Sequence, residues 1–226
     1  MAFKILIGLL ISAVVSYLLG SCNSAIIVCR LWKKTDIRTL GSKNAGLTNT
    51  YRVFGKGPAL LTLLGDLSKG VIAVLLSRLV FSLLGAGLYA GAGMPLDIRF
   101  VGYISGIFAM LGHIFPVYYG FKGGKGVLVA CSILLVIDPL SVCILVPFFA
   151  LIVILTRYVS VASISAATAY PFVTFISQAL RGFPNVWLNT LLVLATSALI
   201  IYMHKENIKR LKNGTENKFG TKKANK

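Results

Sequence analysis

The stretch Ile5-Leu-Ile-Gly-Leu-Leu-Ile-Ser-Ala-Val-Val-Ser-Tyr-Leu-Leu-Gly-Ser-Cys-Asn-Ser-Ala-Ile-Ile-Val-Cys29 carries no charged side chain. At 1.5 Å per residue a helix of about 20 apolar residues crosses the ~30 Å hydrocarbon core, so this run is long enough to span a bilayer. Within it, Leu19-Gly20-Ser21-Cys22 imitates a lipoprotein cleavage site. Two features disfavour cleavage. The apolar run continues past Cys22 to Val28, too far for a signal-peptide core, and only Lys4 precedes it. Cleavage would also place the basic stretch that follows outside the cell. The reading is therefore a spanning helix over 5–29.

Working outward, the same pattern recurs at 58–84, 101–119, 127–137, 140–156, 160–180 and 186–203. The expectation is an all-α polytopic integral membrane protein of about seven transmembrane helices. The run 127–137 is too short to cross as a regular helix and reads as a short or recessed span. Composition agrees: of 226 residues 57% are hydrophobic, yet the formal net charge is +17. The cations concentrate in 30–56, in 120–126 and in the tail after His204, which assigns those parts to the cytoplasm and the N-terminus to the outside. Residues 1–203 read as one transmembrane catalytic domain and 204–226 as a basic cytoplasmic tail. The Gly-rich stretch 85–100 reads as an outer loop, and Arg78 as a side chain that reaches outward to the interface. Cys22, Cys29, Cys131 and Cys143 lie in apolar segments and read as free thiols.

Polar residues inside these segments mark candidate sites. The stretch 36–52 alternates small residues with Arg38, Ser42, Asn44, Thr48, Asn49 and Arg52. Glycines allow close backbone approach, and hydroxyls, carboxamides and cations donate to phosphate oxygens. A solvated orienting loop is the alternative reading. Asp66 and Lys69, three apart in an apolar helix, form either a functional pair or a structural tether. The run Gly112-His113-Ile-Phe-Pro116 leads to Gly120-Phe-Lys-Gly123-Gly124-Lys125-Gly126, a second phosphate-cradle candidate. It is not a P-loop: the spacing is one residue short and Gly126 replaces the metal-binding hydroxyl. The six carboxylates are scattered and no Cys/His cluster has ligand spacing, so neither metal nor cofactor is expected. No nucleic-acid partner is expected, and oligomeric state is left open, a monomer included.

Three signatures coincide: Gly20-Ser21 with Asp36-Ile-Arg38 and Gly41 to Asn49; Asp66-Leu-Ser-Lys69-Gly70; and Gly112 to Pro116 with Phe121 to Val127. With the ending His204-Lys-Glu-Asn207-Ile-Lys-Arg210-Leu-Lys-Asn-Gly214-Thr-Glu216, the chain resembles the bacterial acyl-phosphate:glycerol-3-phosphate acyltransferase family, the PlsY family, over nearly its whole length. Val127-Leu-Val129 departs from the family's usual Val-Ala-Thr, and the loop 85–100 looks lengthened. The resemblance implies transfer of a fatty acyl group from acyl phosphate to glycerol 3-phosphate, forming 1-acylglycerol 3-phosphate at the cytoplasmic face of a bacterial cell membrane, with membrane lipid as surroundings. It implies catalytic roles for Asp66, Lys69, His204 and Asn207, with Asp66 holding Lys69 for a phosphate. It implies substrate binding by Ser21, Arg38, Ser42, Asn44, Thr48, Asn49, Arg52, His113, Gly123, Gly124, Lys125, Gly126 and Ser160. His113 is open to a packing role, and His113, His204 or the leaving phosphate is open as base. The His-x4-Asp signature of thioester-using acyltransferases is absent, since Tyr118 and Lys209 stand at the Asp positions. A membrane transporter or channel for an anionic solute is the rival reading, although no internal repeat relates the two halves.

The charge distribution makes a topology prediction. In a background without the native cysteines, an impermeant thiol reagent added to intact cells should label Ala90→Cys and spare Lys34→Cys. The reverse pattern would overturn the orientation.

Overall fold

The structure is a computed structural model and describes residues 2–84 and 98–220. The expected loop 85–100 lies largely outside the described residues. Among those described, all regular structure is helical: α1 Ala2–Ser21, α2 Ser24–Lys33, α3 Leu47–Phe54, α4 Lys56–Leu83, α5 Ile98–Ile114, α6 Val127–Ile137, α7 Pro139–Thr156, α8 Val159–Leu180, α9 Val186–Met203 and α10 Lys205–Lys212. Among the described residues six segments are long and apolar enough to cross a membrane, with α1 and α2 together forming the first. The chain is thus an all-α polytopic membrane protein. Helix α6 has 11 residues, a length of about 16 Å.

The helix expected over 5–29 is interrupted. It stops at Ser21 and restarts at Ser24, because Asn23 caps the new helix: its Oδ1 accepts from Ile26 N at 3.2 Å. The orphaned carbonyls at the end of α1 find a donor in Lys69 Nζ, 3.2 Å from Gly20 O and 3.5 Å from Cys22 O. Beside this break α1 and α5 cross at backbone contact. A Cβ on Gly20 would sit 2.0 Å from Ala109 O, and one on Gly112 2.1 Å from Tyr17 O. Small residues at helix crossings are how lipid-embedded helices gain packing where no hydrophobic drive separates them.

The core runs between α4, α5, α6, α8 and α9 through Val74, Met110, Val129, Leu134, Tyr170 and Val193. Arg78 does not simply reach outward: its Nη2 donates to Val136 O at 3.3 Å, near the end of α6. At that end the fold is closed by buried polar groups. Asp138, fully buried at the α6–α7 turn, accepts from Arg181 Nη2 at 2.5 Å and from Ser141 Oγ at 2.7 Å. Arg181 Nη2 also reaches Ser177 Oγ at 2.7 Å. Next to it Asn189 Nδ2 donates to Gln178 Oε1 at 3.0 Å, and Gln178 Nε2 to Tyr103 OH at 2.9 Å.

At the opposite end the chain after α10 folds back over the helices. Phe219 N donates to Arg157 O at 2.6 Å, and its ring stacks on Tyr51 at 5.7 Å. The tail is therefore tied to the body through residue 219.

Candidate active site

Two polar loops and the returning tail meet at this end. The first loop is moulded by one side chain. Asn49, on the first turn of α3, donates through Nδ2 to Ile37 O, Leu40 O and Asn44 O at 3.3, 3.0 and 3.1 Å, and its Oδ1 accepts from Ser42 N at 2.9 Å. The turn this demands puts Gly41 at φ +58, where a Cβ would lie 2.4 Å from Asn49 Oδ1. Only glycine fits that combination of backbone and contact.

Arg38 does not face a ligand space. Its Nε and Nη2 bind Asp36 at 3.0 and 2.8 Å, and its Nη1 donates to Tyr119 O at 2.6 Å and Lys122 O at 3.0 Å. It clamps the first loop to the second, and its hydrogen bonds hold the Asp36 carboxyl well below the usual carboxylate range.

The second loop is pinned to the end of α5. Gly123 N donates to Ile114 O at 3.0 Å and Gly124 N to His113 O at 3.1 Å. A Cβ on Gly124 would fall 2.0 Å from His113 Nε2, and one on Gly123 2.0 Å from His113 O. The two amides expected to cradle phosphate are thus engaged with backbone carbonyls, and these glycines are where the loop lies against α5. Gly126, at φ +83, starts α6 and lines the cavity.

Beneath the loop lies a buried ionic cluster. Lys69 Nζ is 2.9 Å from Asp66 Oδ1 and 2.8 Å from His113 Nδ1, besides its two α1-end carbonyls. With the ammonium as donor, His113 Nδ1 is the acceptor and the imidazole is neutral. An ammonium has three donors, and four acceptors surround this one, so Lys69 has no proton left for a phosphate. Asp66 and His113 line the cavity; Lys69 does not. Ser21 is also outside it: its Oγ donates to Tyr17 O at 2.8 Å and accepts from Val117 N at 3.4 Å.

The cavity itself measures about 590 Å³. Its polar head is built by Ser42, Asn44, Thr48, Asn49 and Arg52 from the first loop and α3, Lys125 from the second, Ser160 from α8, and His204 and Asn207 from the last turns. Arg210 and Glu216 join them from the basic tail. Glu216 gathers the tail side: its Oε1 accepts from Ser160 Oγ at 3.1 Å and Asn207 Nδ2 at 2.8 Å, and its Oε2 from Arg210 Nε at 2.7 Å. The signal in the sequence was the ending His204 to Glu216 that the family resemblance includes, though nothing local showed that the chain turns back. Lys125 Nζ donates to Asn207 Oδ1. Burial, with the Arg210 charge nearby, pushes Lys125 down to about 8. Burial, with Lys125 beside it, pushes His204 down to about 4. Its Nδ1 lies 2.8 Å from Ile200 O, so the proton sits there and Nε2 is an acceptor. From this head the cavity continues as an apolar groove between α6, α7 and α8, past Leu134, Val146 and Ala166 to Tyr170.

A family model described as glycerol-3-phosphate acyltransferase matches residues 10–214. The chain belongs to the glycerol-3-phosphate acyltransferase family. It is 38% identical over 214 residues to the glycerol-3-phosphate acyltransferase of Clostridioides difficile, covering 95% of this chain and 97% of that one. With the enzyme of Halalkalibacterium halodurans it is 39% identical over 208 residues, covering 92% and 94%. Among solved structures it is similar to PlsY, an integral membrane glycerol 3-phosphate acyltransferase. The glycerol 3-phosphate form superposes with TM-score 0.76 at 33% identity, over 94% of this chain and 96% of that one. The lysophosphatidic acid form superposes with TM-score 0.74. As a glycerol-3-phosphate acyltransferase the chain is a multi-pass membrane enzyme of phospholipid synthesis, and the transporter reading falls away.

Lys125 carries the pH prediction. Its ammonium is lost as pH rises through about 8, so kcat/KM should fall on the alkaline side. Lys125→Ala should cut kcat/KM by about 10². Lys125→Arg should move the alkaline limb upward while rescuing the rate only in part, since a guanidinium is wider than an ammonium. Near-normal kcat/KM in folded Lys125→Ala protein would remove Lys125 from phosphate binding.

Proposed function

We propose that the acyl donor is an acyl phosphate, and that the product is 1-acylglycerol 3-phosphate. The observation that carries this reading is the two-part cavity: a cationic head continuous with an apolar groove. The head suits phosphate, and the groove suits a chain, each buried methylene contributing about 0.8 kcal/mol. Both substrates bring a phosphate. Arg52, Lys125 and Arg210 supply the charge for them, with Ser42, Asn44, Thr48 and Ser160 as neutral partners.

Acyl phosphate is already activated. The primary hydroxyl of glycerol 3-phosphate attacks the acyl carbon; the new C–O ester bond forms as the acyl–phosphate bond breaks, and inorganic phosphate leaves. The hydroxyl proton goes to the departing phosphate. At about 4, His204 is a poor base at neutral pH, so its Nε2 orients the hydroxyl by accepting its hydrogen bond. Asn207, held between Lys125 and Glu216, shares that positioning role. The gain is chiefly orientation and charge stabilisation. Asp66, Lys69 and His113 brace the site from beneath, and Asn49, Arg38 and Ser21 hold its loops. No step calls for a metal or a cofactor.

The cationic end is assigned to the cytoplasm on the Lys/Arg distribution, in a bacterial cell membrane, with the N-terminus outside and α6 as a recessed short span. The membrane body is 1–203, and His204, Asn207, Arg210 and Glu216 of the tail complete its site.

Purified protein in detergent tests the reading. Acyl phosphate and labelled glycerol 3-phosphate should give 1-acylglycerol 3-phosphate and phosphate at full rate in chelator, with negligible product from acyl-CoA. Product from acyl-CoA at a comparable rate, or activity lost in chelator and restored by Mg²⁺, would contradict it.

A further inference from the structure

The wall of the groove changes character along α8. Ser160 belongs to the polar head, and Ser163, Ala166 and Ala167 follow at the spacing of one helix face. All three are small, so they leave space. The next turn brings Tyr170, buried and large, and α8 contributes nothing to the cavity beyond it. Facing it, α6 contributes Leu134 and Leu135, and α7 Val142 and Leu145, all within about two turns of the Asp138 corner.

Behind Tyr170 the fold is polar, with its carboxylate and its Gln178 amide already paired and the Thr174 hydroxyl buried without a partner. Thr174 and Gln178, one and two turns further along α8, are fully buried. Asp138 is bound to Arg181, Ser141 and Ser177, and Gln178 to Tyr103 and Asn189. A hydrocarbon chain pushed past Tyr170 would separate a buried carboxylate from its guanidinium and break amide hydrogen bonds with nothing to replace them. That is among the costliest changes a protein interior allows.

Depth fits a lipid chain. From Ser160 to Tyr170 the helix rises about 15 Å. That is half of the ~30 Å hydrocarbon core, the thickness one leaflet's chains fill.

We propose that Tyr170, backed by the Asp138–Arg181 pair and the Tyr103–Gln178–Asn189 chain, is the stop that sets the longest acyl chain this enzyme accepts. The inference rests on the acyl-groove reading above. Tyr170 touches the far end of the chain and none of the reacting atoms, so it determines specificity without taking part in the chemistry.

The test is a chain-length profile: kcat/KM for a series of saturated acyl phosphates, with KM for glycerol 3-phosphate and Tm measured alongside. Tyr170→Ala should extend the profile to longer chains, raising kcat/KM for chains beyond the wild-type limit by about fourfold for each further methylene buried, the equivalent of about 0.8 kcal/mol. Ala166→Phe, one turn nearer the head, should cut the profile to shorter chains. Tyr170→Trp should shorten it too, which decides the matter if Tyr170→Ala fails to fold. Each folded variant should keep its KM for glycerol 3-phosphate. If Ala166→Phe shortens the profile and both variants at 170 leave it unchanged, the stop lies elsewhere and the groove reading survives. If none of the three moves the profile, the chain does not lie in this groove and both readings fall.

Discussion

The ammonium of Lys69 sits inside the membrane body, where an unpaired charge is not tolerated. Everything around it answers that constraint. Asp66 supplies the counter-charge from one turn away on α4, His113 supplies a lone pair from α5, and the end of α1 supplies two carbonyls. Three helices are held by one side chain. The same contacts explain why the first span breaks: the carbonyls freed at Gly20 and Cys22 have a partner, and Asn23 restarts the helix while its Nδ2 reaches toward Ala45 O and His113 O at 3.4 and 3.5 Å. His113 in turn is the surface on which Gly124 rests, so the loop carrying Lys125 is set by the cluster beneath it.

Above that base the site is assembled from segments far apart in sequence. Asn49 shapes one loop and Arg38 joins it to the next, while Glu216 draws α8, α10 and the tail together. The result is one cationic head opening onto one apolar groove. A second cavity of about 410 Å³ adjoins the head and shares Lys125, Asn207 and Arg210 with it, adding Lys43, Lys122 and Lys205.

The fold class was legible because apolar runs of spanning length depend on composition alone. The break at Cys22–Asn23 was not, since Gly20-Ser-Cys-Asn-Ser is uncharged and only its partners make it a corner; the Asn-Ser pair before an apolar run was a capping signal that hydropathy overrode. Most of the cavity head was legible, because cations and carboxamides among glycines point to phosphate wherever they fold. What the residue types could not distinguish was facing from bracing. Arg38, Ser21, Lys69 and the amides of Gly123 and Gly124 have the chemistry of a binding site, and the fold occupies them with its own carbonyls, carboxylates and imidazole. Arg210 and Glu216 have the look of a solvated tail and face the cavity. Such distinctions depend on tertiary pairing, which no local pattern carries.

The central claim is that Asp66 and Lys69 act as one unit that both holds the helices and sets the site. A double-mutant cycle with Asp66→Asn and Lys69→Met, reading Tm and the rate per folded molecule together, tests it most directly. The account predicts that each single change lowers both quantities and that the double change is little worse than the worse single, because the partners share one network. Independent, additive losses in rate, or singles that lower Tm while leaving the rate per folded molecule intact, would contradict it.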